Sequence, residues 1–245
     1  MQMAACYDMI KATHDWEGDE GFIADGVICP EIYAQQSLRI LCVLGESWGY
    51  EHCGMTPIEN QPSKDILGLG NPKAQTPRKL GTFLWLLQKS LQQGHMIEWD
   101  EFPSLFTINP EHTAQLQSTL SKIAWINLKK ASRPNSTRMV NAEVTEHATR
   151  NEAIVRKQIQ AIKPHLMIIG SSVVFLSMHR MGLLPKGIEV QRVWQLQEPG
   201  NAAAALEVTH PASWWGYQKL YDRFTGFYQS FMNSKLISVY KRSTQ

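Results

Sequence analysis

The chain has little of what marks a metal protein, a secreted protein or a membrane protein. Its 245 residues hold four cysteines, Cys6, Cys29, Cys42 and Cys53, and no two form a C-x-x-C pair. That leaves neither a zinc ribbon nor a dithiol redox site indicated. His52 stands beside Cys53, but the further ligand spacing of a metal centre is missing. No secretory apolar region opens the chain, and no apolar run approaches the roughly 18 residues of a membrane helix. The expectation is a cytoplasmic protein with reduced thiols, no metal and no other cofactor.

Charge of one sign is also scarce, since the formal net charge is only +2. The distribution says more than the sum. Residues 1–31 hold seven acids and a single Lys or Arg, Lys11. Residues 121–140 hold Lys122, Lys129, Lys130, Arg133 and Arg138 and no acid, and residues 210–245 hold five Lys or Arg against Asp222. Two basic clusters on an otherwise neutral chain read either as a groove for phosphates or as solvated faces.

With 43% hydrophobic residues, the chain suits one large α/β domain with an acidic N-terminal extension, residues 1–36, packed on it. In that extension a short helix precedes loops. Residues 40–44 form an apolar run of strand length. Residues 51–76 are loop-like, and a loop of that length inside a domain tends to be functional. Thr76-Pro77 reads as a helix start, and Gly94 as its stop. Asn109-Pro110 reads as a second start, and IAWINL at 123–128 as a second strand. Residues 143–163 read as one long amphipathic helix closed by Pro164. A third strand covers 166–169, with a helix starting at Gly170-Ser171-Ser172. Residues 190–196 read as an edge strand, 205–209 as a further strand, and 215–232 as an aromatic-rich helix. This alternation predicts a three-layer α/β/α sandwich with a central, mainly parallel sheet.

Three strands end in polar signatures. The first leads into GESWG, residues 45–49, the second ends on Asn127, and the last runs into His210-Pro211. Ligands of open α/β sheets bind just past the carboxyl ends of strands. An acid, an amide and an imidazole at one such edge make a chemical site.

These motifs resemble the uracil-DNA glycosylase superfamily. GESWG is similar to the GEAPG form of the iron–sulfur uracil-DNA glycosylases, IAWINLKKASRPNSTR to the strand and loop reading ITNVVKCRPPGNR, and HPAS at 210–213 to the second active-site motif. A PEIY segment at 30–33 also occurs in uncharacterised members of that superfamily. The resemblance spans roughly residues 38–231. It departs where Ala131 and Ser132 replace the cluster cysteine, so no iron–sulfur cluster is expected. Trp48 replaces a proline. Gly49 stands where strict uracil enzymes carry a tyrosine beside pyrimidine C5, which leaves room for a 5-substituent.

What the resemblance implies is a monomeric, monofunctional DNA glycosylase that cleaves the N-glycosidic bond of a flipped-out pyrimidine, in repair or in defence against modified invading DNA. Glu46 would hold the attacking water and offset the cationic sugar, and His210 would hydrogen-bond the base carbonyl. Gly45, Ser47, Trp48, Gly49 and Asn127 would bind the base. Lys129, Lys130, Arg133, Arg138 and Ser213 would hold phosphates. Trp214 and Trp215 read as a base-flipping wedge or as packing for the last helix. Two other readings stay open: a non-catalytic DNA-binding or sensing module on the same fold, and a nucleotide or nucleoside hydrolase.

Overall fold

Four short apolar runs become the centre of one sheet. In the computed structural model they are β2 (Ile40–Leu44), β3 (Ala124–Asn127), β4 (Leu166–Ile169) and β6 (Ala204–Glu207). Two-residue strands, β1 (Gly26–Val27) and β5 (Leu196–Gln197), close its edges. The helices are α1 (Pro30–Ala34), α2 (Gln75–Gln93), α3 (Pro110–Leu120), α4 (Asn141–Arg150), α5 (Glu152–Ile162), α6 (Ser172–Arg180), α7 (Tyr217–Met232) and α8 (Lys235–Arg242), with a 3-10 turn at Pro211–Ser213. The structure describes residues 25–46, 75–101, 110–130, 140–190, 192–200, 202–213 and 216–242.

The strand order is β1-β3-β2-β4-β6-β5. The inner four strands are parallel, and both edge strands run antiparallel. Every residue of the inner strands is buried. That fits a sheet covered on both faces, whose strands read as unbroken apolar runs. The two-residue pleat then sorts the side chains. Ile40, Cys42 and Leu44 face Leu80, Phe83, Phe224 and Phe227, whereas Leu41 and Val43 face Val144, Val155, Val174 and Phe175. Two cores on one sheet make the three layers: α2, α3, α7 and α8 on one face, and α1, α4, α5 and α6 on the other.

The helix signals hold where glycine or proline supplies them. Gly94, just past α2, has φ +76, and Ser171 caps α6 by accepting from the Val174 N–H. Three readings need correction. The single helix expected over 143–163 is two, α4 and α5, broken at Asn151. Asn151 is buried and donates its Nδ2 to the Leu128 carbonyl at 3.1 Å, so the break anchors the exit of β3. The edge strand expected at 190–196 is confined to Leu196–Gln197, with one isolated bridge from Val193 to Glu207. The acidic extension also contributes a strand, β1, which pairs Gly26 with Trp125. Among the described residues no helix is long and apolar enough to cross a membrane.

Candidate functional site

Parallel strands put their carboxyl ends on one side, so Glu46, Asn127 and His210 share an edge. Leu44 is in register with Asn127, and the Lys129 N–H reaches the Gly45 carbonyl at 2.9 Å. The acid and the amide therefore leave adjacent strands. His210 follows β6, two strands from β2, about 10 Å away at ordinary strand spacing. Gly170, at the end of the intervening β4, closes that interval. A Cβ there would lie 2.1 Å from Leu44 Cδ2 and 3.3 Å from Pro211 Cδ. Glycine lets the Leu44 side chain and the turn after β6 approach across it without displacement.

His210 is half-buried, and its turn is braced from several sides. The Ala212 N–H donates to His210 Nδ1 at 3.2 Å, and the Ser213 hydroxyl donates to the His210 carbonyl at 2.7 Å. Lys79 of α2 donates to the Ala212 carbonyl at 3.0 Å. Arg223 of α7 donates to Thr209 Oγ1 at 2.9 Å while its guanidinium lies over the Trp194 ring at 5.0 Å. Burial, reinforced by the positive charge of Lys79, pushes the imidazole down to about 4. At neutral pH the ring is uncharged, and because Nδ1 accepts, its hydrogen sits on Nε2. His210 is thus a neutral donor.

Glu46 is buried, with its carboxylate 3.7 Å from Lys129 Nζ. The same ammonium lies 3.2 Å from Glu143 of α4. Lys129 Nζ thus lies between carboxylates from two different elements. Asn127 is buried as well, and among the described residues its Oδ1 has no hydrogen-bond partner.

The basic cluster behaves differently from its sequence-based expectation. Lys129 and Lys130 are not solvated phosphate contacts; they are 1% and 0% exposed. Lys130 is paired with Asp25 at 2.5 Å. An ammonium is buried only where a carboxylate compensates it, and here carboxylates from distant segments do so. Ser213 is exposed, and its hydroxyl holds the His210 turn. Ser47, Trp48, Gly49, Arg133, Arg138, Trp214 and Trp215 lie outside the described residues.

Sequence reasoning missed Asp25. It immediately precedes β1, and antiparallel pairing brings it back to the carboxyl end of β3. Its carboxylate accepts the Asn127 main-chain N–H at 2.6 Å. An isolated acid 102 residues away gives no local signal; the surplus of acids in the N-terminal segment was the only trace.

The chain matches no protein-family model and none of the curated proteins. The superfamily resemblance therefore rests on the three motifs. Among the described residues no group of three His, Cys, Asp or Glu is gathered as for a metal ion.

Proposed function

We propose that this protein is a monofunctional DNA glycosylase on a uracil-DNA glycosylase-like fold. It hydrolyses the N-glycosidic bond of a flipped-out pyrimidine and leaves an abasic site. The observation that carries the reading is the neutral His210, an Nε2–H donor on the same sheet edge as a buried Glu46 and a buried Asn127.

The chemistry suits that set. As the bond from C1′ to the base nitrogen breaks, the sugar becomes cationic and the base anionic. The Glu46 carboxylate, 3.7 Å from Lys129 Nζ, faces the first charge. A neutral donor at His210 stabilises the second without delivering a full proton. Water adds to C1′, and Glu46 takes its proton. The amide of Asn127 reads a donor–acceptor edge of the base. Phosphate contacts fall to Arg133 and Arg138 rather than to the two buried lysines, and Trp214 or Trp215 supplies the wedge. Gly49 favours bases that carry a 5-substituent.

The test is release of abasic sites by the purified protein from DNA carrying uracil, thymine, 5-hydroxymethylated and larger 5-substituted pyrimidines. Excision of a 5-substituted base at least as fast as uracil is expected. Binding of DNA without any abasic product would replace the enzyme by a sensing module.

A further inference from the structure

The Asp25 side chain accepts four hydrogen bonds at this edge, and none of the motifs contains it. Its carboxylate has no exposed surface. Oδ1 accepts from Lys130 Nζ at 2.5 Å and from Gln158 Nε2 at 3.1 Å. Oδ2 accepts from the Asn127 main-chain N–H at 2.6 Å and from Asn127 Nδ2 at 3.3 Å. An ionised carboxylate has acceptors only. The Asn127 amide must therefore turn its NH2 toward Asp25, because the opposite rotamer would set oxygen against oxygen. Oδ1 is then directed elsewhere, and it is the buried acceptor that lacks a partner among the described residues. Buried acceptors are rarely left bare, so this one awaits a donor from a bound molecule.

We propose that Asp25 is a positioning residue that locks the Asn127 amide, so that the site presents a fixed acceptor beside the remaining Nδ2 hydrogen. The inference rests on the glycosylase reading, in which Asn127 meets the base edge. Asp25 touches no substrate and acts only through Asn127. Lys130 balances its charge, so the lock adds no net negative charge where a base anion departs. Gln158, bonded also to the Asp25 carbonyl at 3.1 Å, fixes the carboxylate in turn.

Two variants test this. Asp25→Asn offers a donor as well as an acceptor, so Asn127 can turn either way. Asp25→Asn combined with Lys130→Met also removes the stranded ammonium and keeps the interior neutral. The first readout needs no activity: the side-chain amide signals of Asn127 in a nitrogen-15 spectrum, assigned with Asn127→Asp. Solvent exchange of that amide should speed up at least tenfold in the double variant while main-chain amides of β2 and β4 keep their protection. The second is the ratio of excision rates between the base the parent removes best and its counterpart with amino and keto groups exchanged at C4. The ratio should fall at least tenfold. A side chain that merely supports the fold would slow both bases by one common factor and leave the amide as protected as its neighbours, and that result overturns the proposal. Should the parent excise no base at all, the glycosylase reading fails, and the amide exchange alone decides the role of Asp25.

Discussion

The two halves of the sheet edge solve the burial of polar groups in opposite ways. On the β1–β3–β2 side, Asp25, Lys130, Lys129 and Glu46 are all buried and answer charge with charge. On the β4–β6 side, His210 is held uncharged by burial and by a nearby cation. Its turn is fixed by carbonyl and hydroxyl contacts from α2 and α7. The first half is therefore intolerant of losing a partner. The second resembles an ordinary supported turn. For a reaction that creates a cation and an anion side by side, a charged wall and a neutral donor are complementary. In the proposed reaction the Glu46 carboxylate would lower the energy of the cationic sugar, and the neutral donor would meet the anionic base.

The sharpest way to break the comparison is to remove charge from the wall. Glu46→Gln should cut abasic-site formation by about 100- to 10,000-fold while DNA affinity stays within a few-fold, because the carboxylate acts in the transition state. Single-turnover excision and equilibrium binding measure the two quantities separately. Next comes the contrast in stability. Lys130→Met strands the Asp25 carboxylate in the interior and should cost about 3–5 kcal/mol in urea unfolding. Lys79→Met, at the neutral half, loses one part-exposed contact and should cost less than about 1 kcal/mol. Equal losses would erase the distinction between the halves.

Gly170→Ala probes the seam where they meet. A methyl group there crowds Leu44 and Pro211, and overpacking of this kind costs about 1–3 kcal/mol. The smallest effect concerns pH. The folded His210 titrates near 4, below the ordinary 6.5 of an unfolded histidine. As pH falls from about 6.5 to about 4, the unfolded chain binds the proton first, so stability declines across that window and levels off outside it. His210→Gln should flatten that part of the stability profile. Excision by the parent should show no loss centred near pH 6.5, as a pH–rate series would reveal.

Much of the sheet was legible because its strands are buried on both faces. Leu166–Ile169 stood out between Pro164 and Gly170, and its bounds agree with the structure. The ends of the strands were legible too, since Asn127 closes β3 and Glu46 and His210 follow their strands by two or three residues. What escaped was whatever depended on a distant partner. The apolar periodicity continues almost unbroken through Asn151, so the sequence gives no sign of the break there. The two lysines read as phosphate contacts or as a solvated face because lysine is usually exposed, and among the described residues Asp25, Glu46 and Glu143 reverse that. Strand β1 is two residues long, too short for any periodic signal.

That short strand has a kinetic consequence. Asp25 and Asn127 are 102 residues apart, and the chain between them must be in place before the two can meet. Among the strands, the parallel β3, β2, β4 and β6 carry nearly all of the core, and β1 adds only Val27 at its margin. An outer strand with two paired residues belongs to the least stable end of a protein's local opening spectrum. Opening there releases the carboxylate from the amide while the rest of the sheet stays folded. On warming, hydrogen exchange at Asn127 is expected to accelerate before that at β4, and on refolding the site is expected to be among the last parts to be restored.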